Sequence, residues 1–385
     1  MDVAENRAYI LRMNRGEKQY IWQQADWPLW HFDAERISPL LNQAHHVQGL
    51  LLGRMRNIGF GQSEEATLTM LTNEVLKTSE IEGEVFDSDT VRSSVARRLG
   101  IEVAAIAPQD RRIDGVVNLV LDAAQNFQAP LTRERLFGWH DELFPTGYSG
   151  DEEMRVGDWR DDAKGAMQVI SGAMGREKLH FEAPPAELIP KEMSKFLKWF
   201  NQDQGLDPFV KSGLAHLWFV TIHPFEDGNG RIGRAVCDMV LARSEQSAQR
   251  FYSLSSQIRK DRKNYYNLLE RTQKDSLEVT EWLEWFLGTF LRALQGAEES
   301  LSNVLAKAQF WQQWAGTPLN PRQSTLLNKL LAGFEGNLTT KKWAVIAKCS
   351  PDTALRDITD LITKGILMKA SAGSRSTHYQ LKPFD

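Results

Sequence analysis

A stretch of twelve residues, from His223 to Arg234, concentrates side chains that could act on a phosphorylated substrate. An imidazole such as that of His223 can serve as a general base near neutral pH. The carboxylate of Asp227 is a suitable ligand for Mg²⁺, which binds through few carboxylates plus the substrate's phosphates. Arg231 and Arg234 lie about one helical turn apart, so both can reach the same polyphosphate. The stretch therefore predicts phosphate chemistry.

Apolar residues recur at helical spacing on both sides of this stretch, which predicts a loop between two helices. The residues concerned are Leu214, Leu217, Trp218 and Ile222 upstream, and Ile232, Val236, Met239 and Val240 downstream. The glycines of the stretch then fall at the N-terminus of the second helix. Free amides and the helix dipole form an anion site there, and glycine lets a phosphate approach the backbone closely.

The segment from Gly228 to Gly233 also fits the dinucleotide-binding fingerprint G-x-G-x-x-G. That fingerprint requires a preceding strand and an acidic residue about 20 positions further on. The preceding segment is predicted to be helical, and the later position falls near Arg250 and Phe251. We therefore set the dinucleotide-binding fold aside.

The stretch resembles the signature of the Fic family, H-x-F-x-[DE]-G-N-G-R-x-x-R, at every specified position. This resemblance implies a mainly α-helical core that transfers AMP from ATP to a protein hydroxyl. It implies that His223 is the base, that Asp227 holds Mg²⁺ and that Arg234 meets the γ-phosphate. The other residues that it places at the nucleotide site are Phe225, which anchors the loop, Gly228, Asn229, Gly230 and Arg231.

A glutamate near the end of an earlier predicted helix is the next candidate. Leu68, Leu71, Val75 and Glu82 share one helical face, and Gly83 is a typical C-terminal stop. A carboxylate on an apolar face is costly unless it is paired. In one interpretation Glu82 simply reaches solvent at the helix end.

The Fic resemblance gives Glu82 a different role. The segment from Thr78 to Gly83 matches the inhibitory motif [ST]-x-x-x-E-[GN] that some members carry before the core. The resemblance implies that Glu82 pairs with Arg234. An arginine held by a carboxylate cannot also orient a γ-phosphate, and the carboxylate would repel that phosphate. We therefore expect a self-inhibited enzyme, with residues 64–83 as the inhibitory helix.

Composition narrows the class of protein further. The chain has 385 residues, a formal net charge of −4 and a pI near 6.1, so nothing in its overall charge favours nucleic acid or membranes. Cys237 and Cys349 lie far apart without a metal-ligand pattern, which suits a reducing compartment. No apolar run is long enough to span a membrane, and a cytoplasmic location is expected.

Two alternating apolar segments around a glycine-containing turn predict a β-hairpin over residues 166–182. An exposed hairpin on a helical protein suggests a docking edge, and the less favoured alternative is a simple connector. The Fic resemblance implies that this hairpin is a flap that holds an extended segment of the target protein. The same resemblance suggests that Tyr265 contacts adenine or ribose, against the alternative of a buried aromatic residue.

The C-terminal residues 318–385 are predicted to form a winged-helix domain, with a third helix that begins at Ser350-Pro351-Asp352. This segment contains ten Lys or Arg and five Asp or Glu, a net charge of +5. Residues 351–363 nevertheless carry Arg356 against Asp352, Asp357 and Asp360, a net charge of −2. An acidic helix repels phosphates, so we favour protein docking or dimerisation over DNA binding.

We therefore predict a mainly α-helical protein adenylyltransferase with four segments. These are an N-terminal helical module (1–60), a Fic core (61–300), a linker helix (301–317) and the winged-helix domain (318–385). The partners expected are ATP with Mg²⁺ and an unidentified target protein; self-modification and a homodimer stay open. Two alternatives also stay open: hydrolytic removal of AMP at the same site, and a DNA-binding regulator whose core only senses nucleotide.

Overall fold

The structure is a computed structural model, and it describes residues 20–56, 60–102, 108–171, 176, 178–249, 251–274, 276–331, 334, 337–370 and 377–383. The side chains of residues 60–63, 300, 303, 304 and 308 are outside this description. So are three predicted features: the first 19 residues of the N-terminal module, most of the hairpin turn, and the wing turn at 371–374.

The described residues are mainly helical, as predicted. The helices are α1 (Ala34–Arg56), α2 (Phe60–Ile81), α3 (Ser88–Leu99), α4 (Arg111–Gln125), α5 (Arg133–Leu143), α6 (Ile189–Asn201), α7 (Pro208–Ile222), α8 (Asn229–Glu245), α9 (Leu254–Lys260), α10 (Arg262–Thr272), α11 (Thr280–Gln313), α12 (Pro321–Leu331), α13 (Thr340–Ile346) and α14 (Pro351–Thr363). Among them, every helix is too short or too polar to be a membrane-spanning segment.

Six short strands pair as antiparallel hairpins in the described part of the chain. They are β1 (Tyr148–Ser149) with β2 (Glu152–Glu153), β3 (Gln168–Ser171) with β4 (Lys178–Glu182), and β5 (Leu367–Lys369) with β6 (Tyr379–Leu381). The pair β3–β4 is the hairpin predicted from the alternating pattern, with a register shift between Val169 and Ile170. The pair β1–β2 was not predicted, because two-residue strands leave no pattern.

Contacts divide the chain into two units, one formed by Met1–Asn57 with Ser63–Ala297 and the other by Ile58–Gln62 with Glu298–Asp385. The first unit contains most of the described residues of the predicted N-terminal module and of the predicted core, without a boundary between them near residue 60. Its centre is the pair α7 and α8. Helix α7 is buried on all sides, because its sequence is almost wholly apolar between Phe209 and Ile222. Gly233 lets α8 approach it closely, since a Cβ there would lie 3.0 Å from Val220 Cγ1.

The aromatic segment before α1 is a 3-10 turn, Ile21–Gln23, followed by a single parallel bridge between His31 and Glu278. The Ile21 amide donates to the Gln273 carbonyl at 2.8 Å, and the Trp22 indole donates to the Glu182 carbonyl at 2.8 Å. These bonds hold the segment against the core and the base of the β3–β4 hairpin.

The second unit has its own apolar core, which includes Phe310, Leu326, Trp343 and Ile358. Helices α12, α13 and α14 are followed by the β5–β6 hairpin, and Leu338 forms a bridge to Tyr379. Three helices followed by a hairpin are the order expected of a winged helix, and that assignment stays a prediction. Ser350 caps α14 by accepting from the Thr353 amide at 3.2 Å, as its position before Pro351 predicted.

Candidate active site

His223 lies where α7 ends, in the left-handed backbone region with φ 52° and ψ 59°. Its Nδ1 lies 3.2 Å from the Val220 carbonyl, which can only accept, so Nδ1 carries the proton. Nε2 then keeps a free lone pair. Burial lowers the pKa of His223 to about 4, so the ring is neutral at pH 7. A neutral imidazole with a free Nε2 is ready to accept a proton.

A buried arginine on another segment holds the backbone of this residue. Arg160 Nε donates to the His223 carbonyl at 2.8 Å, and the Arg160 amide donates to the Pro224 carbonyl at 3.0 Å. The same guanidinium donates to the Pro184 carbonyl at 2.5 Å and to Asp162 Oδ1 at 2.9 Å. Arg160 therefore joins the loop after α7 to the segment that follows β4.

Phe225 anchors the loop after α7 to the core. Its ring is fully buried and stacks on His140 with centroids 4.2 Å apart. Asn229 also stabilises the loop. Its side-chain Nδ2 donates to the Phe225 carbonyl at 2.8 Å, and its Oδ1 accepts from the Phe225 amide at 3.0 Å. The Asn229 side chain is therefore engaged with the backbone, which leaves its main-chain amide for a phosphate.

Gly228 precedes the first residue of α8 and adopts φ 81°, a conformation that favours glycine. The predicted anion site is thus the N-terminus of a 17-residue helix. Arg231 and Arg234 are 4% and 2% exposed, and Arg231 Nε and Arg234 NH1 are buried without a hydrogen-bond partner. Buried unpaired donors are costly, so an anion with several acceptor oxygens fits this site.

Asp227 faces a cavity of about 480 Å³ that is also lined by Ser149, Asp151, Glu152, Met154 and Glu226. Its carboxylate accepts from the Gly228 amide at 2.6 Å and from Ser149 Oγ at 2.7 Å. No group of three His, Cys, Asp or Glu side chains among the described residues could hold a metal ion alone. One carboxylate beside an anion site fits a Mg²⁺ whose remaining ligands are phosphates and waters.

Helix α2 ends beside this anion site. The Glu84 amide donates to the Ser79 carbonyl at 3.0 Å and the Gly83 amide to the Glu80 carbonyl at 3.2 Å, which is a Schellman ending with Gly83 at φ 92°. This ending places the Glu82 carboxylate 2.8 Å from Arg234 NH2. Thr78 completes the contact, because its hydroxyl and carbonyl accept from Arg234 at 2.7 and 2.9 Å.

The Glu82 carboxylate also lies directly against the first turn of α8. A Cβ on Gly230 would be only 2.1 Å from Glu82 Oε1. Burial and Glu82 raise the pKa of Tyr266 to about 12, so its hydroxyl stays protonated and donates to Glu82 Oε2 at 3.3 Å. A negative group therefore already occupies the predicted anion position.

A second carboxylate holds the other signature arginine. Arg231 NH1 donates to Glu84 Oε2 at 2.8 Å, and its guanidinium lies over the Phe144 ring at 5.1 Å. Asp227 Oδ2 is further away, at 4.0 Å from Arg231 NH2. The end of α2 thus supplies one carboxylate to each arginine.

Tyr265 lies in the core instead of facing the anion site. Its hydroxyl hydrogen-bonds His216 Nε2 at 2.8 Å, and its ring stacks on Trp285. This placement corresponds to the alternative interpretation of Tyr265 as a buried aromatic residue. The adjacent Tyr266 has its hydroxyl at the site, and helical geometry explains the difference because neighbouring residues point about 100° apart.

Two buried histidines, His140 and His216, and the half-buried His223 predict that the larger unit loses stability in acid. Burial lowers the pKa of His140, His216 and His223 to about 4, against an ordinary value of 6.5. The unfolded chain binds protons first, so stability is full above pH 6.5 and falls as the pH drops towards 4. Between pH 7 and pH 5 we expect a loss of about 1–2 kcal/mol per histidine in guanidinium unfolding.

The matched variants for this test are His216→Asn and His46→Asn. The first removes a buried titrating ring and should flatten the pH dependence by about one such increment. The second changes an exposed histidine and should leave the dependence as it is. Equal slopes in both variants and the parent would contradict the assignment.

Known families and proteins resemble parts of this chain, and one family match contains the site. Residues 130–241 match the Fic/DOC family, and residues 20–101 match a family described as "Domain of unknown function (DUF4172)". A probable protein adenylyltransferase from Aquifex aeolicus is 28% identical over 27% of this chain and 30% of its own length. A uridine 5'-monophosphate transferase from Xanthomonas campestris is 29% identical over 30% of this chain and 22% of its own length. The chain thus aligns with less than a third of either relative.

A solved structure supports the fold over a longer range. A Fic family protein from Desulfovibrio desulfuricans G20 superposes with a TM-score of 0.53 and 19% identity, and the match covers 91% of this chain and 97% of that one. The matched segment 130–241 contains the whole stretch from His223 to Arg234. Residues 130–241 therefore form a domain of the Fic/DOC family.

Proposed function

We propose that this protein transfers AMP from ATP to a hydroxyl group of a target protein. The observation that carries the proposal is the Glu82 carboxylate seated against Gly230 and Arg234 at the N-terminus of α8, close to the signature histidine. A site that holds one oxyanion there has the charge and the donors for a phosphate. The names of the Aquifex and Xanthomonas relatives point to nucleotidyl transfer.

In the proposed reaction His223 Nε2 takes the proton of the acceptor hydroxyl. The oxygen then attacks the α-phosphorus of ATP, and the bond to the β-phosphate oxygen breaks, so that pyrophosphate leaves. The backbone amides at the start of α8 and the two arginines stabilise the charge on the phosphates. Asp227 would hold Mg²⁺, which supplies further neutralisation. Positioning and electrostatics account for most of the rate in such reactions.

We propose that the enzyme is self-inhibited by Glu82. Burial would lower the pKa of Arg234, but Glu82 raises it, so the guanidinium stays charged and the ion pair persists. With Glu82 in place, Arg234 is not free to orient a γ-phosphate. The Glu82 carboxylate and a phosphate of ATP, both negative, would also lie close together at Gly230 and repel each other. The contact must therefore open before productive ATP binding.

We propose that the target docks on the β3–β4 hairpin, residues 166–182. Ile170 and Leu179 are 54% and 41% exposed there, which offers apolar anchors beside a strand edge. Glu270 on α10 ties the hairpin down through His180 Nδ1 at 2.5 Å and Lys178 Nζ at 3.3 Å. Self-modification, a homodimer and a cytoplasmic location stay predictions.

The experiment that tests the function uses the Glu82→Gly variant with ATP labelled on either the α- or the γ-phosphate, in a cytoplasmic extract. Protein-bound label from the α-position alone supports AMP transfer. Label from the γ-position would indicate phosphoryl transfer, and stronger incorporation from UTP than from ATP would favour the chemistry named for the Xanthomonas relative. A matched reaction with His223→Ala in the same background controls for other enzymes in the extract.

DNA binding by the C-terminal unit is the second candidate, because the acidic character of α14 is smaller than its sequence predicts. Asp357 is buried and pairs with Arg322 at 3.0 Å, and Asp360 pairs with Lys364 at 2.5 Å. The exposed charges of α14 are then Asp352, Arg356 and Asp360, and the pairing of Asp360 with Lys364 reduces the expected repulsion. We still propose protein docking for this unit, and salt-dependent binding of duplex DNA by the full chain would contradict that choice.

Arg160 is expected to position the base in the proposed reaction. Replacing it with Met removes the bonds to the His223 and Pro184 carbonyls, and we expect kcat to fall about 10- to 100-fold, because small misplacements of a reacting group are costly. The affinity for ATP should change less than about twofold. Arg160→Lys can restore one of these bonds and should recover part of kcat.

The control for Arg160 is Arg155→Gln, which changes an exposed arginine paired with Asp158 and Asp161. It should leave kcat unaltered. Thermal unfolding of both variants separates a lost positioning contact from a lost fold. A folded Arg160→Met protein with the parent's kcat would remove Arg160 from the mechanism.

A further inference from the structure

Both arginines of the signature are held by carboxylates, and only one of these carboxylates belongs to the inhibitory motif. Glu82 binds Arg234 at 2.8 Å, whereas Glu84 binds Arg231 at 2.8 Å. Glu84 lies two residues further on, outside the motif that ends at Gly83. The structure thus contains a contact that the inhibitory motif does not explain.

The backbone ending of α2 accounts for both contacts. The left-handed Gly83 turns the chain, and the Glu84 amide closes the Schellman bond to Ser79 at 3.0 Å. Glu82 and Glu84 therefore leave the turn on either side of a glycine, while Arg231 and Arg234 lie one turn apart on α8. The C-terminal end of α2 therefore places two carboxylates against the two guanidinium groups in the first turns of α8.

The two arginines mark two anion positions. Arg231 Nε and Arg234 NH1 are both buried without a partner, so each arginine keeps a donor that its carboxylate does not satisfy. The position at Arg234 adjoins Gly230, where Glu82 lies. The position at Arg231 lies nearer the helix start, beside Phe144 and within 4.0 Å of Asp227. A polyphosphate that spans both positions must displace both carboxylates.

We infer that Glu84 is a second nucleotide-competing residue, which controls the part of the site that receives the inner phosphates. This inference rests on the proposed function, since it takes the occupant to be a nucleoside polyphosphate. Glu82 then opposes the terminal phosphate of ATP at Arg234. Glu84 opposes the phosphates that ADP and ATP have in common, at Arg231. The two residues together set which nucleotides the resting protein admits.

The test is the binding of ADP and of ATP, with Mg²⁺, to the full chain by calorimetry. Glu84→Gln keeps the size of the side chain and removes its charge, and we expect it to tighten both nucleotides about five- to tenfold. Glu82→Gly should tighten ATP by a larger factor than ADP. The combined variant should approach the product of the two factors for ATP, because each residue holds its own arginine.

Glu80→Gln is the matched control. Glu80 lies on the same helix ending, but it pairs with Lys77 at 2.6 Å and Arg259 at 3.3 Å. This variant removes an equal charge from the same turn and should leave both affinities within about twofold of the parent. A comparable gain in Glu80→Gln would show a general charge effect and would overturn the role of Glu84.

The remaining outcomes distinguish failure of the Glu84 inference from failure of the proposed function. Unchanged affinities in Glu84→Gln, while Glu82→Gly tightens ATP, would overturn the inference and leave the proposed function in place. A gain in Glu84→Gln that is confined to ATP would also overturn it, because Glu84 would then act through Glu82. Absence of nucleotide binding in every variant would overturn the proposed function itself. Glu84 is partly exposed, so its replacement should not unfold the chain.

Discussion

Replacement of His223 with alanine is expected to lower AMP transfer by about a thousandfold while ATP affinity changes less than about twofold. A positioned general base contributes roughly 10²–10⁴ in rate, and alanine leaves nothing within reach of the acceptor hydroxyl. The phosphate contacts are unaffected, because they come from α8 and its arginines, which His223 does not hold. The measurement is single-turnover transfer in the Glu82→Gly background, with nucleotide binding followed separately.

The pKa of His223 sharpens this expectation. Burial lowers that pKa to about 4, so the ring stays unprotonated throughout the neutral range, and transfer should not lose its base until the pH falls towards 4. Imidazole added to the buffer should restore part of the activity of the alanine variant, since it can occupy the space of the missing ring. His46→Ala, at an exposed site, is the control. Substantial transfer by His223→Ala without imidazole would exclude His223 as the base.

The signature loop could be placed from sequence because its information is local. Apolar spacing on both sides predicted α7 and α8, and Gly228 lies at the turn before α8 with φ 81°, while Gly230 and Gly233 lie inside that helix. Phe225, which the resemblance implies is the anchor of the loop, is fully buried and stacks on His140. The structural setting of these residues depends on a few neighbouring positions, which a short motif fully specifies.

Contacts between residues far apart in the chain could not be predicted from the sequence in this way. Arg160 reaches His223 across 63 residues, and Glu84 reaches Arg231 across 147. An isolated arginine or glutamate in a loop carries no periodic signal, so nothing in the sequence distinguishes these two from solvated surface charges. Tyr265 was selected by the resemblance alone, and sequence does not show that its side chain lies in the core while that of Tyr266 reaches Glu82.

The effective charge of α14 could not be predicted from its sequence for a related reason. Counting Asp357 and Asp360 as surface charges gave a net charge of −2, yet Asp357 is buried against Arg322 from α12. A formal charge repels a ligand only if it is exposed and unpaired. Pairing between helices is a tertiary property, and here it weakens the argument against DNA binding without changing the choice of protein docking.

Replacement of Glu82 with glycine is expected to raise AMP transfer by about a hundredfold. The variant frees Arg234, which is 2% exposed and keeps one unpaired donor, and it removes a carboxylate from the place where a phosphate oxygen should lie. Opening a charge-assisted contact of this kind costs about 2–3 kcal/mol, and each 1.36 kcal/mol is a factor of ten in rate. Transfer is measured as the initial rate of label incorporation from α-labelled ATP, at a fixed and saturating amount of the target protein or of the extract that contains it.

Two further variants locate the origin of such a gain. Thr78→Ala removes the hydroxyl that accepts from Arg234 Nε and should raise transfer by only a few fold, since the carboxylate remains. Glu80→Gln, which lies on the same turn but pairs elsewhere, should not change the rate. Transfer by Glu82→Gly that equals or falls below the parent's would rule out inhibition by this residue. If Glu82→Gly instead lost the ability to remove AMP from a modified protein, Glu82 would serve hydrolysis by orienting water, and the same carboxylate would act as a catalytic group.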